Sequence, residues 1–320
     1  MAIKLCCTKD MSREEWLEWR RGGIGGSDAA TIVGLNPYCS LLELYADKIG
    51  MMPDKEDSEA MRIGRDLEEY VASRWAEKTG KKYRKTNYMY AHDQYDFIRA
   101  NVDREVVGEN AGLECKTTSV YNKHDFEDGE IPLWYYCQCQ HYMAVKNYDR
   151  MHLAILVLGK GFYDFVIERN ENEIAVLIDN EIEFWNHHVK AQVPPSPDGS
   201  ESSANAIKAI SSHSNVDSGL SSDLLLLMDK EDDLARYNTL KQQYEELGKE
   251  IDTIKQELML ALADNEYGES AQYKVSYKAQ SSTRLDSKKL KAECPEIFNK
   301  YAQTTVSRVL RINKKKEGKN

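Results

Sequence analysis

No run of about 18 apolar residues occurs in the chain, so no membrane-spanning helix is expected. The opening Met-Ala-Ile-Lys-Leu-Cys-Cys-Thr lacks the long apolar core of a signal peptide, and a soluble protein of the cytoplasm is the expectation. Cysteine is sparse: seven residues, at 6, 7, 39, 115, 137, 139 and 294, have no metal-finger spacing, and Cys137-x-Cys139 is too short a gap for a zinc knuckle. Their odd number and scatter argue for reduced thiols rather than a disulfide framework. Positive charge is also in deficit, with 43 Lys and Arg against 53 Asp and Glu and a net charge of −10, unlike a nucleic-acid coat protein. The cations that are present cluster at Arg20-Arg21, Lys81 to Lys85, Lys288 to Lys291 and Lys314 to Lys316. Such local patches let an acidic enzyme hold DNA, although each alone is ordinarily a solvated face. At 320 residues and 41% hydrophobic content the chain can build one large domain or two.

The most informative stretch is Asn101-Val-Asp103-Arg-Glu-Val-Val-Gly-Glu-Asn-Ala-Gly-Leu-Glu114-Cys-Lys116-Thr-Thr. Apolar and β-branched residues stop at Gly108 and resume after Gly112, which predicts two short strands joined by a tight turn. Side chains two apart on a strand share a face, so Glu114 and Lys116 project together while Leu113 and Cys115 point the other way. Asp103, closing the partner strand, can meet them across the hairpin. Two carboxylates and a lysine converging at strand ends suit a divalent cation with an ammonium beside it, a phosphodiester-cleaving constellation. The same triplet is also what a solvated face with a weak surface ion pair looks like, so the rest of the chain has to decide.

Ser12-Arg-Glu-Glu15 has capping-box spacing and opens a helix running to Arg21. Gly22-Gly-Ile-Gly-Gly26-Ser27-Asp28 then leads into an apolar helical run, with Ser27 or Asp28 as the cap. A glycine loop of this kind can deliver N–H groups to a phosphate, or it can be a plain capped turn; Arg20 and Ser27 flanking it favour the anion. Short helix 41–48 and a longer helix 58–78 follow, the latter with Leu67, Val71 and Trp75 as its core stripe. Glu68 borders that stripe, and a carboxylate beside a core face needs a partner or a metal. Residues 83–90 read as one edge strand, and Tyr95 to Asp103 as the first strand of the hairpin. After an acidic loop, 123–130, the helix Leu133 to Val145 sets Tyr135, Gln138 and Tyr142 along one face. Strands 150–158 and 161–169 and a helix 171–192 complete an α/β (α+β) core, a central mixed sheet flanked by helices.

Residues 1–192 therefore form one domain, the Pro- and Ser-rich 193–222 a flexible linker, and 223–320 a second module. In that module Tyr237, Leu240, Tyr244, Leu247, Ile251, Ile254, Leu258 and Ala261 recur at steps of three and four, a coiled-coil seam or the inner face of a helix packed on its own domain. Strands 273–278 and 306–312 flank a lysine-rich helix start at 286–291. Tyr273, Lys274, Tyr277 and Arg308 interleave rings and cations in a way that permits nucleic-acid contact.

Taken together, Trp19-Arg20, Gly25-Gly26-Ser27-Asp28, Gly64-x-x-x-Glu68, Val102-Asp103, Leu113-Glu114-Cys115-Lys116 and Gln138-x-Gln140-x-Tyr142-Met143 resemble the YqaJ viral recombinase family. That family includes phage lambda exonuclease and belongs to the PD-(D/E)XK nuclease superfamily; the resemblance covers about residues 10 to 190. It implies that Asp103 and Glu114 ligate metal with the Cys115 carbonyl, and that Glu68 reaches the metal directly or through water. It implies that Lys116 activates the attacking water, that Gln138 positions nucleophile or phosphate, and that Arg20 and Ser27, with Tyr135 nearby, bind a 5′-phosphate and DNA. Cys115 stands where other residues are common, which a carbonyl ligand tolerates. The function implied is a Mg²⁺-dependent 5′→3′ exonuclease, with Mn²⁺ expected to substitute, acting on double-stranded DNA ends to leave 3′ overhangs for recombination. A homotrimer ring, a single-strand annealing partner, and a phage or prophage origin in a bacterial cytoplasm are implied too. The alternatives are an endonuclease of the superfamily and an inactive DNA-binding scaffold.

Overall fold

Helix formation begins where Ser12 predicts it. In the computed structural model the Ser12 hydroxyl accepts from the Glu15 N–H at 3.2 Å and the Glu15 carboxylate accepts from the Ser12 N–H at 2.9 Å. The structure describes residues 2–54, 57–119, 126, 129–217, 225, 227–303 and 309–313. It divides into two units, Met1–Leu220 and Ser221–Asn320. Among the described residues no helix is long and apolar enough to cross a membrane.

In the first unit the order is β1 (Ile3–Cys7), α1 (Arg13–Arg21), α2 (Gly26–Ile32), α3 (Leu41–Lys48), α4 (Glu59–Thr79), β2 (Tyr83–Lys85), β3 (Tyr88–Ala91) and β4 (Arg99–Ala100). Then come β5 (Arg104–Val106), β6 (Ala111–Ser119), α5 (Leu133–Lys146), β7 (Arg150–Leu158), β8 (Gly161–Glu168), α6 (Glu171–Glu183) and α7 (Glu201–Asp217). The α6 helix continues as a π-helical stretch over Phe184–Lys190. The central sheet has the order β2-β5-β6-β7-β8 and is mixed: only β6 and β7 run parallel. The α5 helix is the crossover between these two strands, as a parallel pair requires.

Alternation along β6 is what the hairpin pattern calls for. Leu113 is buried against Val71, Ala72, Trp75 and Ala154, with Cys115 packed on the same cluster, while Glu114 and Lys116 turn to the opposite face, toward α5. Helix α4 lays Val71 and Trp75 on the first face, and its chain exit is closed by Gly80 in the left-handed conformation at φ 70°. The larger core lies on the other side, where α5 and α6 pack with Tyr142, Met143, Leu153 and Ile155.

Four sequence expectations are corrected. The strand expected over 83–90 is two strands in different sheets, because β3 pairs with β1 and β4 in a second sheet, order β1-β3-β4, while β2 pairs with β5. Asp103 does not close a long strand from Tyr95; only Arg99–Ala100 is extended there, and Asp103 sits at a bend just before β5. Neither Ser27 nor Asp28 is the cap of α2: Gly25 is, and the Asp28 carboxylate accepts the Gly25 N–H at 3.0 Å from the third position of the helix. The linker expected over 193–222 contains α7, whose Ser203 and Ala206 are buried and whose Ser202 hydroxyl accepts from the Ser40 N–H at 2.8 Å. Its serines and alanines let α7 approach closely, a property that composition alone reads as flexibility. The expected acidic loop 123–130 lies mostly outside the described residues.

The second unit holds α8 (Glu231–Leu262), preceded by a 3₁₀ turn at Met228–Lys230, then the hairpin of β9 (Tyr267–Glu269) and β10 (Lys274–Ser276), α9 (Ser287–Glu293) and α10 (Pro295–Tyr301). The heptad seam is realised as one helix of 32 residues. The strand expected at 306–312 is not formed over 309–312, and 306–308, with Arg308, lie outside the described residues. Helix α10 was not foreseen in sequence, although Pro295 at its first turn is the signal for it.

Trp75 is fully buried between α4 and the sheet. Trp75→Ala is expected to lower the unfolding free energy by about 3–5 kcal/mol, measured by urea denaturation; a loss below about 1 kcal/mol would mean that α4 is not docked through this ring.

Candidate active site

The site is built on β6 and α5, the strand and helix that face each other across the larger core. Glu114 is 4% exposed. Its Oε1 accepts from the Gln138 side-chain N–H at 2.7 Å and from the Lys116 ammonium at 2.7 Å. Lys116 donates in turn to Gln138 Oε1 at 2.9 Å, and its Nζ lies 5.2 Å from the centre of the Tyr135 ring. The second amide proton of Gln138 goes to the Tyr142 hydroxyl at 3.0 Å. The helical spacing of Tyr135, Gln138 and Tyr142 thus places three polar tips around one strand-borne acid and base.

Asp103 enters from the bend before β5. Its Oδ2 accepts from the Cys115 N–H at 2.9 Å. Pairing between β5 and β6 ends at Arg104 opposite Leu113. In an extended strand a residue's N–H and C=O point to the same edge, so the Cys115 carbonyl faces the Asp103 side as well. Burial, then the charges of Glu114 and Glu68, push the Asp103 carboxyl well above the ordinary range, with Lys116 opposing. For Lys116 burial alone would weaken the proton, but the Glu114 carboxylate overrides it and holds the ammonium charged above its usual value.

Glu68 is close enough to raise Asp103, yet its carboxylate is engaged by Arg104, Nη1 to Oε1 at 2.6 Å. Arg104 is fully buried, donates its other arm to Glu69 at 2.9 Å, and gives a further bond to the Asp103 carbonyl at 2.8 Å. The pattern Glu68-Glu69 on a helix with an arginine directly after Asp103 was the available sequence signal for this pair, since a bordering carboxylate had to find a partner.

Among the described residues no three His, Cys, Asp or Glu side chains form a group that could hold a metal ion. The smaller donor set still fits a hard cation. Glu114 Oε2 is buried with no hydrogen-bond partner, and two mutually repelling carboxylates with an adjacent carbonyl are the oxygen donors that Mg²⁺ takes, the rest of its shell being water. Asp103, Glu114 and the Cys115 carbonyl would hold it, with Glu68 behind Arg104.

The glycine loop forms the second half. Arg20 donates to the Ser27 hydroxyl at 2.8 Å and to Asp28 at 3.2 Å, and its guanidinium lies 5.3 Å from the Trp16 ring centre. Asp28 is buried, and burial alone would raise its pKa; the ammonium of the equally buried Lys48 at 2.6 Å, together with Arg20, instead holds it below the ordinary range. Lys48 also donates to the Arg20 carbonyl at 3.0 Å. Sequence reasoning assigned Lys48 no role; only a fold that buries α3 against α2 reveals one. The two halves touch: a Cβ on Gly26 would stand 2.6 Å from the Tyr142 ring and 2.8 Å from Gln138 Cγ. Glycine at 26 is what lets the Arg20–Ser27 loop rest against the helix carrying Gln138. Behind the loop, Ile24 exchanges backbone bonds with Phe97 and Arg99, and the buried His141 bonds both the Arg99 carbonyl at 2.8 Å and Glu181 at 2.7 Å.

A family model described as the YqaJ-like viral recombinase domain matches residues 15–149. The chain is similar to the uncharacterized protein YqaJ of Bacillus subtilis (strain 168), 38% identical over 304 residues and covering 94% of each chain. Among solved structures it is similar to an alkaline exonuclease from Laribacter hongkongensis, with a TM-score of 0.47 at 19% identity over 56% of this chain and 93% of that one. A phage-related exonuclease from Haemophilus somnus 129PT gives a TM-score of 0.43 at 14% identity over 53% and 96%.

Because the raised carboxyl of Asp103 is ionised at neutral pH only at a cost to the fold, removing its charge should stabilise the metal-free protein. In EDTA, Asp103→Asn is expected to melt a few degrees above the parent. Added Mg²⁺ should raise the melting temperature of the parent in a concentration-dependent way and leave the variant unmoved. A variant that melts lower in EDTA, or one stabilised by Mg²⁺ as strongly as the parent, would contradict the site.

Proposed function

The chain belongs to the YqaJ-like viral recombinase family, and we propose that it is a metal-dependent nuclease that digests linear double-stranded DNA 5′→3′, leaving 3′ single strands for recombination. The observation that carries the reading is the Lys116 ammonium held between Glu114 and Gln138 beside the buried Asp103. Mg²⁺, with Mn²⁺ as a substitute, is the cation proposed for Asp103, Glu114 and the Cys115 carbonyl. When bound it supplies Lewis acidity at the scissile phosphate and a water of lowered pKa.

The protein's own groups do the rest. Lys116 stays protonated beside Glu114, so it acts as a hydrogen-bond donor and a fixed positive charge, orienting the attacking water and offsetting charge that develops on phosphate oxygens. Gln138 fixes both Glu114 and Lys116 and positions nucleophile or phosphate through them. Glu68, restrained by Arg104, contributes negative potential behind Asp103. Arg20 and Ser27 form the 5′-phosphate pocket: a guanidinium suits a phosphate's paired oxygens, and the present Arg20–Ser27 bond shows the two groups already converge. Tyr135 lies beside Lys116 where the DNA would enter. The acidic surface elsewhere keeps DNA contact local to such cations. The nuclease domain is proposed as residues 1–192 with α7 added to it. A ring-shaped homotrimer and a single-strand annealing protein as partner are proposed on the family relationship.

A 5′-phosphorylated linear duplex is expected to be degraded with Mg²⁺ and to survive in EDTA, and Lys116→Ala should lose about 100-fold or more in rate. Equal digestion with and without the cation, or an undiminished Lys116→Ala, would sink the reading. Arg20→Ala is expected to lose roughly 10- to 100-fold on 5′-phosphate ends and little on 5′-hydroxyl ends. If the parent cuts both ends alike, the pocket is misassigned.

A further inference from the structure

Helix α8 carries an apolar seam that no other described residue of the second unit covers. Its a positions are Tyr237, Tyr244, Ile251 and Leu258, and its d positions Leu240, Leu247, Ile254 and Ala261. The large side chains among them, from Tyr237 to Leu258, are 41% to 79% exposed. A monomeric surface rarely leaves so long an apolar stripe in water, and a heptad repeat sustained over more than three heptads is the pattern that another helix covers.

We propose that α8 pairs with α8 of a second copy of this chain as an antiparallel two-stranded coiled coil centred on Lys249. The argument is self-complementarity in size and in charge. In an antiparallel pair each a residue layers on a d residue of the other helix. With the two helices centred on Lys249, Tyr237 meets Ala261, Tyr244 meets Ile254, Ile251 meets Leu247 and Leu258 meets Leu240. All the a and d positions are then filled, and the bulkiest residue faces the smallest, as dense packing requires. A parallel pair would instead stack Tyr237 on Tyr237, Tyr244 on Tyr244 and Ala261 on Ala261, overfilling one end and leaving a void at the other.

The flanking charges select the same arrangement. Centred on Lys249, Arg236 comes opposite Glu257 of the other helix, twice by symmetry, while Gln243 faces Glu250 and Gly248 faces Lys255, with no like charges opposed. In the parallel pair Glu250 meets Lys255 favourably, but Arg236 is set against Lys241. Sliding the antiparallel pair by one heptad in one direction sets Lys241 against Lys255, and in the other it sets Lys255 against itself. Opposed like charges are how coiled coils reject wrong partners and registers. The proposal concerns α8 alone and does not depend on the nuclease reading.

Disulfide trapping in the full-length protein tests it, in a background where the exposed Cys7 and Cys294 are replaced by serine. Across the antiparallel pair, positions 237 and 261 of different chains are adjacent, whereas within one helix they are ~36 Å apart. Tyr237→Cys/Ala261→Cys is expected to form a disulfide-linked dimer on mild oxidation, Tyr237→Cys alone to form none above background, and Leu247→Asp added to the double variant to abolish the link. A dimer from Tyr237→Cys alone would show a parallel pair and overturn the proposal. So would a double variant that stays unlinked, or a link that persists undiminished with Leu247→Asp.

Discussion

The side-chain amide of Gln138 is fixed at both ends, its N–H groups on Glu114 and the Tyr142 hydroxyl and its oxygen on the Lys116 ammonium. That one amide ties the Glu114 carboxylate and the Lys116 ammonium of β6 to the helix that crosses over the sheet. It satisfies a buried carboxylate that would otherwise be costly, and it leaves Glu114 Oε2 as the unpaired atom. Gly26 extends the constraint, since its missing side chain lets the Arg20–Ser27 loop lie against Gln138 and Tyr142. The two halves of the site are therefore set by the placement of α5, and a shift in that helix would move both.

A second constraint is the buried Arg104. A guanidinium with no solvent exposure needs paired anions, and Glu68 and Glu69 on α4 supply them. Arg104 also grips the Asp103 carbonyl, so the residue that neutralises Glu68 positions Asp103. The acids around Asp103 are thus graded: Glu114 unpaired at one oxygen, Glu68 restrained by a cation, and Asp103 itself pushed toward protonation by its burial first and then by both acids. Such a gradient concentrates the demand for a positive charge at the Asp103–Glu114 edge.

Much of this was legible in the sequence. The period of two along β6 placed Glu114 and Lys116 on one face, and the helical spacing in α5 aligned Tyr135, Gln138 and Tyr142, because both are local geometry. What escaped was long-range. Whether the residues around Tyr83 and Tyr88 joined one sheet or two depended on the partner strands β5 and β1. The Asp28–Lys48 pair needed α3 to be buried beside α2, and Arg104 had no assigned role until the fold enclosed it. Small polar residues over 201–217 carried no periodic apolar signal, so a packed helix read as a linker. The 237–261 seam, by contrast, was plain from its spacing, and the second unit realises it as one helix with that face exposed.

End polarity tests the central claim most directly. Linear duplex carrying distinguishable 5′ and 3′ end labels, beside covalently closed circular DNA, would be incubated with Mg²⁺ and either the parent protein or Glu114→Gln. The account predicts early release of the 5′ label with a persisting 3′-labelled single strand, intact circles, and little release by Glu114→Gln. Nicked circles, release from the 3′ end first, or equal activity in Glu114→Gln would contradict it.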